Sequence, residues 1–340
     1  MKCVHVWAVV SAMIFGIVLT GCKKEEAAPV SGDKGTSSAR QRIVIGMVAK
    51  SQSNDVFQAA YSGAKDAARE LGAKYNADVT IDWRTPTTED ATKQVEAIEA
   101  LTRAGVAGIT VSCTDANTLT PAIDRAADKG VPVMCFDSDA PASKRFAFYG
   151  SDNKHIGEVV VKELANAIGD MPGTVAILGG NQSATNLAER VQAAKDEIGK
   201  HPNLKLLAAS GGVFYHEETP EKAAEAVATA TNANPSIRGW AFIGGWPLFT
   251  TDALKWAPGS IKVSSCDALP AQLAYLKSGH VQALFAQDCY GWGYKSVEVI
   301  LEKVVNKKDP PNAIIVDPLT PVTAANVDEY AKNWEKWLAK

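Results

Sequence analysis

The sequence has no block of basic residues and almost no net charge: 35 Lys and Arg face 38 Asp and Glu, leaving −3 at pH 7. A nucleic-acid binder needs a surface that neutralises phosphates, and this balance offers none. Catalytic signatures are scarce as well. The chain holds no GxxxxGK[ST] phosphate loop, no GxGxxG after a strand, no GxSxG elbow, no HExxH and no CxxC. His216-Glu217-Glu218 is the one dense run of metal-ligand types. It lies just before Pro220, where a helix is expected to begin, so its acids are read as first-turn partners of the helix dipole. The remaining histidines past the N-terminal leader, His155, His201 and His280, are scattered. No metal, no cofactor and no enzymatic activity are expected. The composition is otherwise ordinary, with 46% hydrophobic and 21% charged residues, 26 Gly and 16 Pro. That excludes collagen-like, disordered, coiled-coil and multi-span membrane classes. At roughly 150 residues per domain, the 340-residue chain is expected to form about two domains.

The longest uncharged apolar stretch, Val4 to Leu19 apart from His5, is short. As a helix it would reach roughly 24 Å against a bilayer core of about 30 Å. Behind Lys2 it reads as a secretory signal over residues 1–21. Leu19-Thr20-Gly21-Cys22 resembles the bacterial lipobox, which implies cleavage before Cys22 and diacylation of its thiol. Residues 22–41 are charged, small and Pro/Gly/Ser-rich, and are expected to form a tether with nothing to bury. Beyond it stand Cys113, Cys135, Cys266 and Cys289. Three pairings are open to four cysteines, and each lies in or just after an apolar run, which favours buried free thiols.

From Arg42 onward short apolar runs alternate with amphipathic stretches. Strands are expected at 43–48, 79–83, 107–111, 131–136, 174–178, 204–209, 240–243, 261–265 and 283–286. Helices are expected at 56–71, 89–104, 119–129, 184–198, 221–233, 250–256, 269–278, 294–305 and 327–338. Continuous apolar strands between helices mean a parallel sheet covered on both faces, hence an α/β fold.

A weak internal repeat runs through this pattern. Gly108 opens a strand, loop, helix and strand that end in Asp137, and Gly239 opens the same series ending in Asp267. Each half would then hold one aspartate at the carboxyl end of a parallel strand, where open α/β sheets bind ligands. An isolated aspartate there more often caps a helix, so the matched pair carries the weight. Lys50, Asn54 and Phe57 leave the first strand toward the same crevice. Trp246 follows a strand in Gly244-Gly245-Trp246-Pro247. Carboxylates and Arg pair with vicinal hydroxyls through bidentate bonds, and an indole face covers the C–H side of a sugar ring.

These residues carry a resemblance to the type I periplasmic binding proteins of the ribose-binding family, the receptors of bacterial ABC importers. The matching segments are MVAKSQSNDVFQAAYSGAKDAARELG, VPVMCFDSDA, YGSDN, SATNLAERVQA, SSCDA and FAQD, and the resemblance spans residues 42–325. It implies two doubly wound parallel-sheet lobes joined by three hinge segments. Lobe one would be 42–151 plus 288–317, and lobe two 152–287 plus 318–340. Position by position, it implies ligand contacts at Lys50, Asn54, Phe57, Asp137, Arg190, Trp246, Asp267 and Gln287, with Asn186 one helical turn before Arg190. Ribose binders have a small hydroxyl residue in place of Lys50, an Arg in place of Ser138, and Asn-Asp near Gly245-Trp246, which counts against ribose. Lys50 with FDSDA looks closer to the rhamnose and autoinducer-2 branch, although autoinducer-2 receptors carry Asp-Gln where this chain has Asn186-Leu187. The resemblance implies a monomer that binds a monosaccharide or sugar-like polyol, meets an ABC permease and touches the membrane only through its lipid. Regulators of the same fold carry an N-terminal helix-turn-helix, and here that place holds the signal and tether. A sugar sensor for a membrane kinase or chemoreceptor and an extracytoplasmic enzyme are the alternatives.

Overall fold

The computed structural model describes residues 40–338; the signal segment, Cys22 and the tether up to residue 39 lie outside the described residues. The chain runs through β1 (Gln41–Val48), α1 (Asp55–Lys74), β2 (Ala77–Trp83), α2 (Ala91–Ala104), β3 (Gly108–Val111), α3 (Ala116–Asp128), β4 (Val133–Phe136) and β5 (Ala147–Gly150). Next come α4 (Asn153–Ile168), β6 (Gly173–Gly180), α5 (Thr185–Ile198), β7 (Leu204–Leu206), β8 (Val213–Tyr215), α6 (Pro220–Ala233), β9 (Ile237–Phe242), β10 (Lys262–Cys266), α7 (Pro270–Lys277) and β11 (Ala283–Ala286). Then α8 (Cys289–Asn306), β12 (Ile314–Val316), β13 (Thr320–Val322) and α9 (Val327–Leu338) follow.

The strands form two sheets, ordered β12-β5-β4-β3-β1-β2 and β13-β11-β10-β9-β6-β7, with β8 also pairing β6. Every pairing is parallel except β11–β13. The protein is thus an α/β fold of two parallel-sheet lobes. The chain passes between the sheets after β5, after β11 and between β12 and β13. Alternation along the strands sorts side chains to opposite faces. Ile43, Ile45, Met47, Met134 and Phe136 join the core that α1 also enters. Val48, Ile109, Val111, Val133 and Cys135 join the core with Ile98, Leu101, Leu119 and Ile123 of α2 and α3.

Helix starts follow the capping chemistry of the sequence. Asn54, Asp90, Asp115, Asp152, Thr219 and Asp288 each accept a backbone N–H of the following turn. Gly105 closes α2 with φ 66°.

Several expectations fail. No helix forms over 250–256, and a single 3₁₀ turn, Trp246–Phe249, precedes that segment. Seven residues nucleate a helix poorly, and Tyr275 replaces the helical bonds: its hydroxyl donates to the Thr250 carbonyl (2.5 Å) and accepts the Ala253 N–H (2.7 Å). Asp252 adopts φ 61°, which a helix does not allow. The strand expected over 204–209 stops at Leu206 because Ser210, Gly211 and Gly212 all take positive φ in the turn leading to β8. Helix α4 and strands β5, β8, β12 and β13 were not expected; the strands have three or four residues each, too few for alternation to register. Gln41, assigned to the tether, is the first residue of β1. Glu217 and Glu218 precede the Thr219 cap, so Glu221 and not they supplies the acid of the first turn of α6.

Candidate functional site

The loop after β1 brings three of the expected residues together. Asn54 caps α1 by accepting the Val56 N–H at 3.2 Å. Phe57, on the first turn, packs against Phe136 and Trp292 with ring centroids 6.4 and 6.3 Å away. Lys50 is only 3% exposed, and its Nζ lies 3.9 Å from Asp137 Oδ2. Burial alone would lower the Lys50 pKa, but the Asp137, Glu218 and Glu89 carboxylates outweigh it and hold the ammonium well above its ordinary value. This is a buried cation whose charge depends on the acids around it.

Asp137 follows β4 and also accepts the Ser112 hydroxyl at 2.7 Å. From the second lobe, Asn186 Nδ2 donates to Asp137 Oδ1 at 3.4 Å. Asn186 and Arg190 share the buried face of α5, one turn apart. The Arg190 guanidinium, 2% exposed, is spread over four partners. It donates to Asn153 Oδ1 (2.9 Å), the Ile243 carbonyl (3.2 Å), Cys266 Sγ (3.3 Å) and Gln287 Oε1 (2.7 Å). Gln287 Nε2 then donates to Asp267 Oδ1 at 2.7 Å, and the Gly245 N–H donates to Asp267 Oδ2 at 3.1 Å. One set of contacts thus joins Lys50, Asp137, Ser112 and Asn186, and a second joins Asn153, Arg190, Gln287 and Asp267. Cys113, Cys135, Cys266 and Cys289 are all buried and unbridged.

Three glycines shape the second lobe around this network. A Cβ on Gly157 of α4 would fall 2.4 Å from the Arg190 carbonyl, so α4 and α5 approach as closely as they do only because none is there. A Cβ on Gly244 would fall 2.3 Å from the Trp246 ring, and one on Gly180, at φ 66°, would meet the same ring at 2.7 Å. The indole is 6% exposed and packs edge-on to His216 at 5.0 Å.

All nine residues expected at the site line one cavity between the lobes. Its volume is about 40 Å³. A water occupies roughly 30 Å³ of liquid and ligand pockets run to several hundred, so nothing the size of a sugar enters unless the lobes part or a wall swings away. Outside it lies a vestibule of about 1060 Å³, walled by Thr88, Thr114, Ser183, Tyr215, His216 and Phe249 among others. Asn54, Glu89 and Glu218 line both spaces and form the wall between them.

Six cavity residues were not among the expected contacts: Val56, Glu89, Leu187, Glu218, Gly244 and Trp292. Glu89 was counted into a helix, although Asp90 behind it is the cap of α2. Trp292 arrives from α8, and its indole N–H donates to Asp317 Oδ2 at 2.9 Å. Burial, with the Glu218 carboxylate next in weight, pushes Glu89 up to about 8. Among the described residues no group of three or more His, Cys, Asp or Glu is arranged to hold a metal ion.

Residues 45–308 match the family described as periplasmic binding protein domain. The chain is 25% identical over 330 residues to the D-ribose/D-allose-binding protein of Pseudomonas aeruginosa, covering 92% of this chain and 97% of that one. Among solved structures it is similar to a solute-binding protein of an ABC transporter from Burkholderia graminis in complex with D-arabinose. There the TM-score is 0.77 and the identity 26%, over 86% of this chain and 98% of that one. A carbohydrate transporter solute-binding protein from Agrobacterium radiobacter, also in complex with D-arabinose, gives 0.76 and 26% over 87% and 98%.

Proposed function

Because this chain belongs to the periplasmic binding protein family, we propose that it captures a monosaccharide or sugar-like polyol between its lobes and delivers it to the permease of an ABC importer. The observation that carries this reading is the convergence of Lys50, Asp137, Arg190, Trp246 and Asp267 from two lobes on one cavity. Carboxylates accept and guanidinium donates to neighbouring hydroxyls, while aromatic faces cover the C–H side of a ring. Relatives of similar length are a D-ribose/D-allose-binding protein by name and a solute-binding protein in complex with D-arabinose. Lys50 and the FDSDA run, nearer the rhamnose and autoinducer-2 branch, support a deoxysugar or another monosaccharide over ribose.

The mechanism follows from how the contacts divide. We take lobe one as 42–151 with 288–317 and lobe two as 152–287 with 318–340. Lys50, Asn54, Phe57 and Asp137 then stand on lobe one, and Asn186, Arg190, Trp246, Asp267 and Gln287 on lobe two. A ligand touching both sets binds the closed arrangement better than the open one, and only that difference drives closure. Hinge closure around a ligand is the behaviour of periplasmic binding proteins as a class. Export through the apolar segment Val4–Leu19 and diacylation at Cys22 would hold the protein outside the cytoplasm, two acyl chains being enough for stable anchoring.

Mass spectrometry of small molecules released from the purified, denatured chain tests the reading, followed by calorimetric titration of whatever is found. Recovery of a sugar or polyol that rebinds supports it; saturable binding of only non-hydroxylated solutes overturns it.

A further inference from the structure

The aromatic wall of the inner cavity is held from a place outside it. Trp292, on the first turn of α8, lines the cavity and is 1% exposed. Its ring lies against Phe57 and Phe136, with centroids 6.3 Å away in each case. Phe57 lines the same cavity, and Phe136 is the residue before Asp137. Ring packing of this kind tolerates a slide or a turn of the indole. A hydrogen bond does not, because it weakens steeply off its line. An indole this deeply buried must also find an acceptor for its N–H.

That acceptor is Asp317 Oδ2, at 2.9 Å. Asp317 is 4% exposed and is not among the residues that line the cavity. It follows β12, where the chain begins its third passage between the two sheets. Its backbone N–H donates to the carbonyl of Gly150 at 3.0 Å, at the end of β5, where the first passage begins. Its side chain reaches α8, the helix that follows the second passage. One residue thus touches the chain beside all three passages. Asp288, the cap of α8, is tied to β5 as well, accepting the Tyr149 hydroxyl at 2.8 Å.

We propose that Asp317 is a positioning residue for ligand binding: from the passages between the lobes it fixes the Trp292 indole, and that indole with Phe57 presents the aromatic wall for the C–H face of the ligand. The inference rests on the sugar-binding reading and adds to it a residue that the ligand never touches. A carboxylate acceptor is stronger than a neutral one, and its fixed backbone sets where the ring can stand.

Two measurements on the full chain test it. The first needs no ligand. The Trp292 indole N–H peak in a nitrogen–proton correlation spectrum, identified by its loss in Trp292→Phe, should move upfield in Asp317→Ala. It should stay near its original position in Asp317→Asn, whose amide oxygen still accepts the N–H. The second is calorimetric titration with D-arabinose, D-ribose, D-allose and L-rhamnose. For each of these that binds the wild type, Asp317→Ala and Trp292→Phe should each weaken binding about tenfold, and the double variant no further. Asp317→Asn should stay within about threefold of the wild type. Circular dichroism verifies the fold of each variant; should Asp317→Ala not fold, Asp317→Leu, which fills the space without accepting, takes its place. An indole peak that does not move overturns the inference. Losses that add in the double variant overturn it too, as does an Asn variant as weak as the alanine one. If none of the four sugars binds the wild type, the indole peak alone decides the positioning, and the released-ligand analysis judges the broader reading.

Discussion

Asp137 and Asp267 occupy the same place in the two lobes, down to the backbone. Each follows a parallel strand, β4 or β10, and each holds a left-handed φ, 56° and 67°. Each also gives its N–H to the next strand: Asp137 to the Tyr149 carbonyl at 3.1 Å and Asp267 to the Phe285 carbonyl at 2.8 Å. Neither caps a helix. The left-handed backbone costs on the order of 1 kcal/mol and is borne by Asp more readily than by most residues. It ends each strand and turns a carboxylate into the cleft.

Asp137→Ala, Asp267→Ala and Arg190→Ala are each expected to weaken ligand binding by about 2–4 kcal/mol, because each strands a buried hydroxyl or charged partner. Calorimetric titration measures it. A variant that keeps wild-type affinity removes its residue from the site.

Trp246 is expected to report closure. Its indole is shielded in the closed arrangement, so opening should expose it to a collisional quencher and ligand should protect it. Acrylamide quenching of tryptophan emission should fall when ligand is added, and Trp246→Phe should lose most of that change. Small-angle scattering should show a smaller radius of gyration with ligand. Equal radii with and without saturating ligand would make this a rigid binder and remove the hinge mechanism.

Gly157→Ala is expected to harm the site from behind it. The added Cβ meets the Arg190 carbonyl, so α5 must shift, and overpacking of this kind costs roughly 1–3 kcal/mol. Thermal unfolding should move down, and affinity should fall because Asn186 and Arg190 ride on the displaced helix. An unchanged melting temperature would mean that α4 and α5 are not locked at this crossing.

Stability should decline as pH rises from about 4 to about 8. Burial lifts Asp317 from 3.8 to about 6, and burial with Glu218 lifts Glu89 from 4.5 to about 8. The folded chain therefore keeps protons that the unfolded chain releases. This contribution is full below about pH 4 and is lost as pH passes through 6 and then 8. The upper part belongs to Glu89, faced by Glu218, Lys50 and Asp137. Melting temperatures between pH 6 and 9 should fall in the wild type and flatten in Glu89→Gln; parallel curves for the two would contradict this assignment.

Local chemistry was legible wherever it acts over a few residues. Apolar runs of five or six between amphipathic stretches specify strands covered on both faces. The matched spacing of Asp137 and Asp267 could be read for the same reason: a strand that ends at a crevice leaves its mark in the residue that ends it. Tertiary contact decided the rest. Residues 250–256 have helical composition, yet Tyr275, more than twenty positions away, takes their backbone bonds. Gly157 and Gly244 look like any other glycine until a second helix and an indole ring are set against them. Glu89 and Glu218, 129 positions apart, look like ordinary acids before helices. Only the tertiary structure sets both on the wall of one cavity, where burial raises Glu89, because the energy of a charge depends on what surrounds it and not on its neighbours in the chain.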